Sequence, residues 1–404
     1  MKVFYALVLV IVLSSCQTEN ANYESYTSDL DDELITNLIN ASNGVGTSYY
    51  LLPDSDDFSR IPQDPLNPIT AEKVALGKLL LHETALGGNP KMDEMNGQYT
   101  CATCHPVASG FFSGRRQGIG EGGIGFGVNG EGRTFNTEMP LDSVDIQAVR
   151  PPTLLNLAYQ DVMLWNGQFG GTGTNAGTEA QWDHIPENAE GFQGVEVQAM
   201  QGQLEHRLKV NEEFVDSYNY RTMFDAAFYN IPQSERYTRK TAALAIAAFN
   251  RTILANQAPW QEYLKGDLEA LNDQQKRGAN LFFDKGLCYQ CHNGPALKDQ
   301  EFHAFGFGDF DGSLEAMVLP SIDFESVVEY KNNGVAQSTE VPTTQLASQF
   351  GSSNLTSDEI TDLTAFLKDA LRDPDLLRYV PNTVNSGNCF PNNDEQSRID
   401  LGCN

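Results

Sequence analysis

The chain has 404 residues, with 54 Asp and Glu against 26 Lys and Arg and a formal charge of −28 at pH 7. So acidic a surface argues against nucleic acid as a partner and would steer a basic protein towards it. A hydrophobic fraction of 40% with 10% aromatics excludes a disordered chain, and the length accommodates two domains.

At the N-terminus Lys2 precedes an apolar stretch, residues 3–13, that is too short to span a bilayer. Residues 1–15 read as an export signal. Leu13-Ser14-Ser15-Cys16 resembles the bacterial lipoprotein box, whose Cys becomes the lipidated first residue of the mature protein. Cys16 is therefore expected to tether the chain to the membrane on the periplasmic side of the cell envelope. Residues 16–58 are rich in Asn, Ser, Thr, Asp and Glu and read as a polar tether.

Two runs dominate the rest: Cys101-Ala102-Thr103-Cys104-His105 and Cys288-Tyr289-Gln290-Cys291-His292. Each is C-x-x-C-H, the attachment pattern of c-type haem. The thiols form thioethers with the haem, and the adjacent His becomes the proximal ligand of the iron. The alternative is a pair of zinc half-sites. Those normally lie about 15–20 residues apart, far closer than Cys101 and Cys288, and zinc leaves His105 and His292 unexplained. Two haems point to redox chemistry.

Between the motifs, residues 118–133 (GIGEGGIGFGVNGEGR) form a glycine-rich loop without the Lys-Ser/Thr ending of a phosphate-binding loop. Flexible backbone near the first haem is expected there. Residues 238–256 place Ala242, Ile246, Phe249 and Ile253 on one helical face, ending before Pro259. Asn272 with Gln275 starts a helix that runs to Phe283, and Gly286 stops it just before Cys288. Thr356 with Glu359 forms a capping box ahead of Ile360, Leu363 and Phe366, and Asp373-Pro374 marks the stop. Strand patterns are few, so the class is mostly α with long loops. Of seven Cys, Cys389 and Cys403 remain. In an oxidising compartment they are expected to close the tail with a disulfide, and otherwise to be free thiols.

Further segments surround the motifs in a fixed order: GKLLLHETALGG (77–88), RPPTLLN (150–156), LWNGQ (164–168), GVEVQAM (194–200), AAFNRTILANQAPWQEYLKGD (247–267) and RGANLFFDKGLCYQCHNGP (277–295). In this order they resemble the bacterial di-haem cytochrome c peroxidases, a family that includes the methylamine-utilisation di-haem enzymes. The resemblance spans roughly residues 65–310 and 356–371. It implies two cytochrome c-like haem domains, N-terminal over 59–235 and C-terminal over 236–380, followed by a tail over 381–404.

The resemblance implies reduction of hydrogen peroxide to water at the first haem. Electrons would come through the second haem from a small donor protein, a c-type cytochrome or a cupredoxin. Cys101, Cys104, Cys288 and Cys291 would hold the haems, and His105 and His292 the irons. Trp165 would lie on the electron route. Gln198 and an acid–base partner would face the first iron; Glu205 is the candidate partner, with His206 and Glu196 as alternatives. Pairing of two copies into a homodimer is a further expectation, and retention of the family's inter-haem calcium site stays open. A methylamine-utilisation-type oxidase and a non-catalytic electron carrier are the competing functions.

The chain departs from the family pattern twice. No His lies between His105 and His184, where a capping ligand usually sits, so the first haem is expected to be open. The family's Pro-x-Leu-Arg-Asn and Pro-Tyr-x-His-x-Gly segments do not follow the second motif. The C-terminal domain therefore reads as shortened, with Lys331 and Met317 as candidate far ligands of the second iron.

Overall fold

The computed structural model describes residues 28–147, 150–182, 184–308 and 323–403. The leader, Cys16 and Met317 lie outside the described residues. The fold is mostly helical. Among the described residues the only sheet is an antiparallel pair, β1 (Gly123–Ile124) and β2 (Thr134–Phe135). No described helix is long and apolar enough to cross a membrane.

Part of the expected tether is folded. Helix α1 (Asp29–Ala41) starts at a capping box between Ser28 and Asp31. It buries Leu34 and Leu38 completely. Its polar composition hides a stripe spaced by four, and one acid is used inside: Asp31 pairs with Lys276 at 2.9 Å and accepts from Tyr263 at 3.0 Å. Residues 28–58 of the polar tether expected over 16–58 are therefore part of the folded body, because a one-in-four apolar spacing suffices to dock a helix.

The first core gathers α2 (Ala71–His82), the short helix α3 (Cys101–Cys104), α4 (Gly194–Glu205) and α5 (Arg239–Arg251). Helix α5 is rich in Ala, and Ala242, Ala243, Ala245, Ala247 and Ala248 are all fully buried. These small side chains let α2 approach closely. A Cβ on Gly77 would lie 2.0 Å from the Ala245 carbonyl oxygen, so only glycine fits there. The sequence division at 235/236 assigned this helix to the C-terminal haem domain. It instead runs through the first core, because its apolar face meets α2 and α4.

The second core holds α1, α6 (Pro259–Leu264), α7 (Asp273–Phe283), α8 (Phe324–Asn333) and α9 (Ser357–Ala365). The expected caps are present: Asn272 with Gln275 on α7, and Thr356 with Glu359 on α9. A Cβ on Gly278 of α7 would lie 2.1 Å from the Asp362 carbonyl oxygen of α9. Each core thus repeats one device, a glycine-notched helix pressed on a second helix and leading into a C-x-x-C-H run. The repeat is not legible in the sequence, since it rests on one glycine and a packing distance.

After α9 the chain returns to the first core. Tyr379 is buried there, and Cys389 and Cys403 form the expected disulfide. The loop they close contains the last helix, α10 (Glu395–Leu401).

Candidate active site

The first motif is fixed from three sides. Thr100 N-caps α3 and donates to the Leu81 carbonyl of α2 at 3.1 Å. Thr103 donates to the carbonyl of Pro391 in the tail at 2.8 Å. A Cβ on Gly118 of the glycine-rich loop would lie 2.6 Å from Cys104 Sγ, so that loop rests on the thiol. Burial pushes the Cys101 and Cys104 thiols up to about 12, leaving both uncharged.

His105 Nδ1 donates to the Phe111 carbonyl at 3.1 Å, and His292 Nδ1 donates to the Leu297 carbonyl at 3.2 Å. Each leaves Nε2 with its lone pair, the state a haem ligand requires. Burial pushes His105 down to about 4 and lowers His292 as well, so neither ring protonates at neutral pH. Both accepting residues sit in the left-handed region, Phe111 at φ 61° and Leu297 at φ 51°. A bulky residue held there costs about 1–3 kcal/mol and persists where the surroundings impose it. The two motifs therefore share an orienting strain that their spacing does not encode.

Cys101 borders the first core and Cys288 the second. No four-thiolate zinc cluster exists among the described residues. The single group of three metal-ligating residues found there is Cys291, Asp299 and His303, beside the second motif. Paired thiols on one turn, a following His with an oriented ring and a glycine that lets backbone touch the thiol all fit a covalently held haem at the first motif. The second has the same thiol pair and His geometry.

Helix α4 carries the candidate residues Glu196, Gln198 and Glu205. Gln198 Oε1 is buried without a hydrogen-bond partner among the described residues. Two residues earlier, Glu196 is fully buried and ion-paired with Arg251, whose Nη2 lies 2.5 Å from Oε2. Arg251 also donates to Gln193 Oε1 at 3.0 Å, which pins the start of α4. Glu196 is thus consumed by α5, on the helix side away from Gln198, and is not free to move a proton. Glu205 ends α4 and is exposed. His206 follows, with its Nδ1 2.7 Å from Asp145 Oδ2. Its field adds to the depression of His105, after burial as the larger cause, so it lies near the first motif.

Trp165 is 79% exposed and takes no part in either core. Its loop joins the two motifs' surroundings. Gly194 at the start of α4 donates to the Asp161 carbonyl at 2.8 Å. On the other side, Asp161 N–H meets Gln300 Oε1 at 3.4 Å, and a Cβ on Gly167 would lie 2.5 Å from the Phe302 ring. Gln300 and Phe302 follow the second motif in the chain.

Near that motif Lys331 donates to the Gly286 carbonyl at 2.7 Å and to Ser353 Oγ at 2.5 Å. Its amine is engaged with the turn before Cys288, so the structure does not present it as a free ligand for the second iron. The glycine-rich loop is not loose backbone either. Arg133, 2% exposed, donates to the carbonyls of Ile119 at 2.5 Å and Gly120 at 2.7 Å and knits it together.

Residues 71–269 match the family model of the di-haem cytochrome c peroxidases. Over that stretch the chain is similar to that family. It is 32% identical over 258 residues to cytochrome-c peroxidase IdrP1 of Pseudomonas sp. strain SCT, covering 63% of this chain and 54% of that protein. It is 26% identical over 266 residues to the methylamine utilization protein MauG of Methylophilus methylotrophus, covering 64% of each. It is 28% identical over 256 residues to the cytochrome c551 peroxidase of Pseudomonas aeruginosa, covering 63% of this chain and 59% of that one. The chain thus matches between about half and two thirds of these relatives' lengths. A crystal structure of a MauG-like protein associated with microbial copper homeostasis superposes with a TM-score of 0.51 at 21% identity. It covers 81% of this chain and 96% of its own. That likeness supports the same mostly helical fold for this chain.

Proposed function

We propose that this chain reduces hydrogen peroxide to water at its first motif, using electrons that enter near the second from a small redox protein. The observation that carries the reading is the buried, unpartnered amide oxygen of Gln198 on a helix locked in rotation by Glu196 and Arg251. A buried polar atom without a partner costs about 1–3 kcal/mol, which a bound ligand can recover.

Bound haem would supply the electrons and the iron to which peroxide binds. The chain's residues would do the rest. Gln198 accepts a hydrogen bond from the peroxide O–H and orients it. Glu205 carries the proton from the near oxygen to the far one, so that two electrons and two protons convert one peroxide into two waters. Trp165, on a loop touching the surroundings of both motifs, relays electrons between them. A second reading gives the proton to His206, and the 2.7 Å hydrogen bond between its Nδ1 and Asp145 Oδ2, which orients the ring, favours it. The oxidase alternative draws on the exposure of Trp165, which suits electron exchange with a protein. The site of action is the periplasmic face of the envelope, lipid-anchored through Cys16. The Cys389–Cys403 disulfide supports an oxidising compartment.

Steady-state peroxide reduction by fully loaded protein tests this. Gln198→Ala should slow turnover with haem content unchanged. Glu205→Gln should lower it by about 10²–10⁴-fold. Unchanged turnover in Glu205→Gln together with a loss of that size in His206→Gln would move the proton to His206. Absence of turnover in the wild type would favour the electron carrier.

A further inference from the structure

We propose that the C-terminal tail is a working part of the first haem site, with Asp394 and Arg133 as positioning residues; this rests on the first motif holding a haem. The tail is stapled into one unit by Cys389–Cys403 and by Asp394, which caps α10 through Ser397 N–H at 2.9 Å. It grips the segment around the first motif directly. Thr103, between the two haem cysteines, donates to Pro391, Thr84 donates to the Cys389 carbonyl at 3.2 Å, and Asn393 N–H donates to the Gln98 carbonyl at 3.1 Å.

It also shapes the glycine-rich loop. Asp394 Oδ1 accepts from Gly125 N–H at 2.9 Å, and Asp394 Oδ2 pairs with Arg133 Nη1 at 3.2 Å. Asp400 Oδ2 accepts from Phe126 N–H at 2.7 Å and from Gly127 N–H at 2.9 Å. The loop's only regular structure is the two-residue pairing of β1 with β2. Its path is therefore set by Arg133 and the two tail carboxylates.

The N-terminal end of that path reaches the site. Gly118 lies against Cys104 Sγ. Two residues on, Gly120 N–H donates to the Asp145 carbonyl at 2.8 Å, and Asp145 holds His206. Glu121, fully buried, pairs with Arg207 at 2.7 Å. The loop therefore couples the tail to the thioether edge of the first haem and to the C-terminal end of α4, where Glu205 and His206 sit. The second motif lies in the other core and is joined to none of these bonds, so it serves as an internal reference.

The test compares holoprotein carrying Asp394→Ala, Asp394→Asn, or Cys389→Ser with Cys403→Ser. Haem content by intact mass, amide hydrogen exchange and the spin-resonance spectrum are read on each. Asp394→Ala should speed exchange at Gly125–Gly127 at least about tenfold. It should change the spectrum of the first haem and leave that of the second unaltered. Asp394→Asn keeps an acceptor for Gly125 but loses the charge facing Arg133, and should fall between wild type and Ala. The cysteine pair should move the same signals in the same direction. A first-haem spectrum unchanged while exchange rises would overturn the proposal, as would equal change at both haems, which marks general loosening. If Asp394→Ala does not accumulate, Asp394→Asn decides by the same two criteria. Wild-type protein lacking a haem at the first motif would instead remove the reading on which the proposal rests.

Discussion

Arg251 and Glu196 set the orientation of the site from behind. Both are fully buried, and their attraction is matched by the cost of desolvating two charges. Arg251→Ala would leave the Glu196 side chain buried without its ion-pair partner, with Asn67 Nδ2 at 3.2 Å still donating to it. We predict a loss of about 3–5 kcal/mol in denaturant unfolding. A double change, Glu196→Gln with Arg251→Met, should recover most of it. A loss below about 1 kcal/mol in Arg251→Ala would show that the pair does not anchor α4. Gln198 and the His residues of the two motifs could be singled out as candidates in the sequence because their neighbours follow a known order. The sequence did not reveal the use of Glu196, whose partner lies on another helix. Nor did it reveal the left-handed Phe111 and Leu297, since neither residue type signals that conformation.

At the scale of elements, glycine decides how each core is built. Gly278→Ala would force a methyl group against the Asp362 carbonyl, and overpacking of this kind costs about 1–3 kcal/mol. Hydrogen-exchange protection should fall in α7 and α9 and hold in α2 and α5. Equal loss in both cores would contradict the division into two packing units. Helices α7 and α9 were legible through Asn272 with Gln275 and Thr356 with Glu359, because capping is local chemistry. Helix α5 was legible as a helix but not as part of the first core, since spatial neighbours need not follow chain order. Helix α1 was hidden by its acids, one of which turned out to be the buried partner of Lys276.

At the scale of the molecule, the tail was the least legible feature. Its disulfide followed from counting cysteines, but its docking uses backbone groups, such as the Pro391 carbonyl and Gly125 N–H, that any sequence provides. The lipid anchor is a separate expectation. Cys16→Ser should move the protein from the membrane fraction to the soluble periplasmic fraction, and a wild type already soluble and unlipidated would refute it. One acyl chain binds only marginally, so stable attachment needs the several chains of a mature lipoprotein. We propose that the first haem is open to peroxide, since no His lies between His105 and His184, where the family resemblance places a capping ligand. The electron spin resonance spectrum of the oxidised holoprotein tests this most directly. We predict a high-spin ferric signal that disappears in Cys101→Ala with Cys104→Ala and persists when Cys288 and Cys291 are replaced. A spectrum in which both haems are low-spin and six-coordinate would contradict the account and favour an electron carrier.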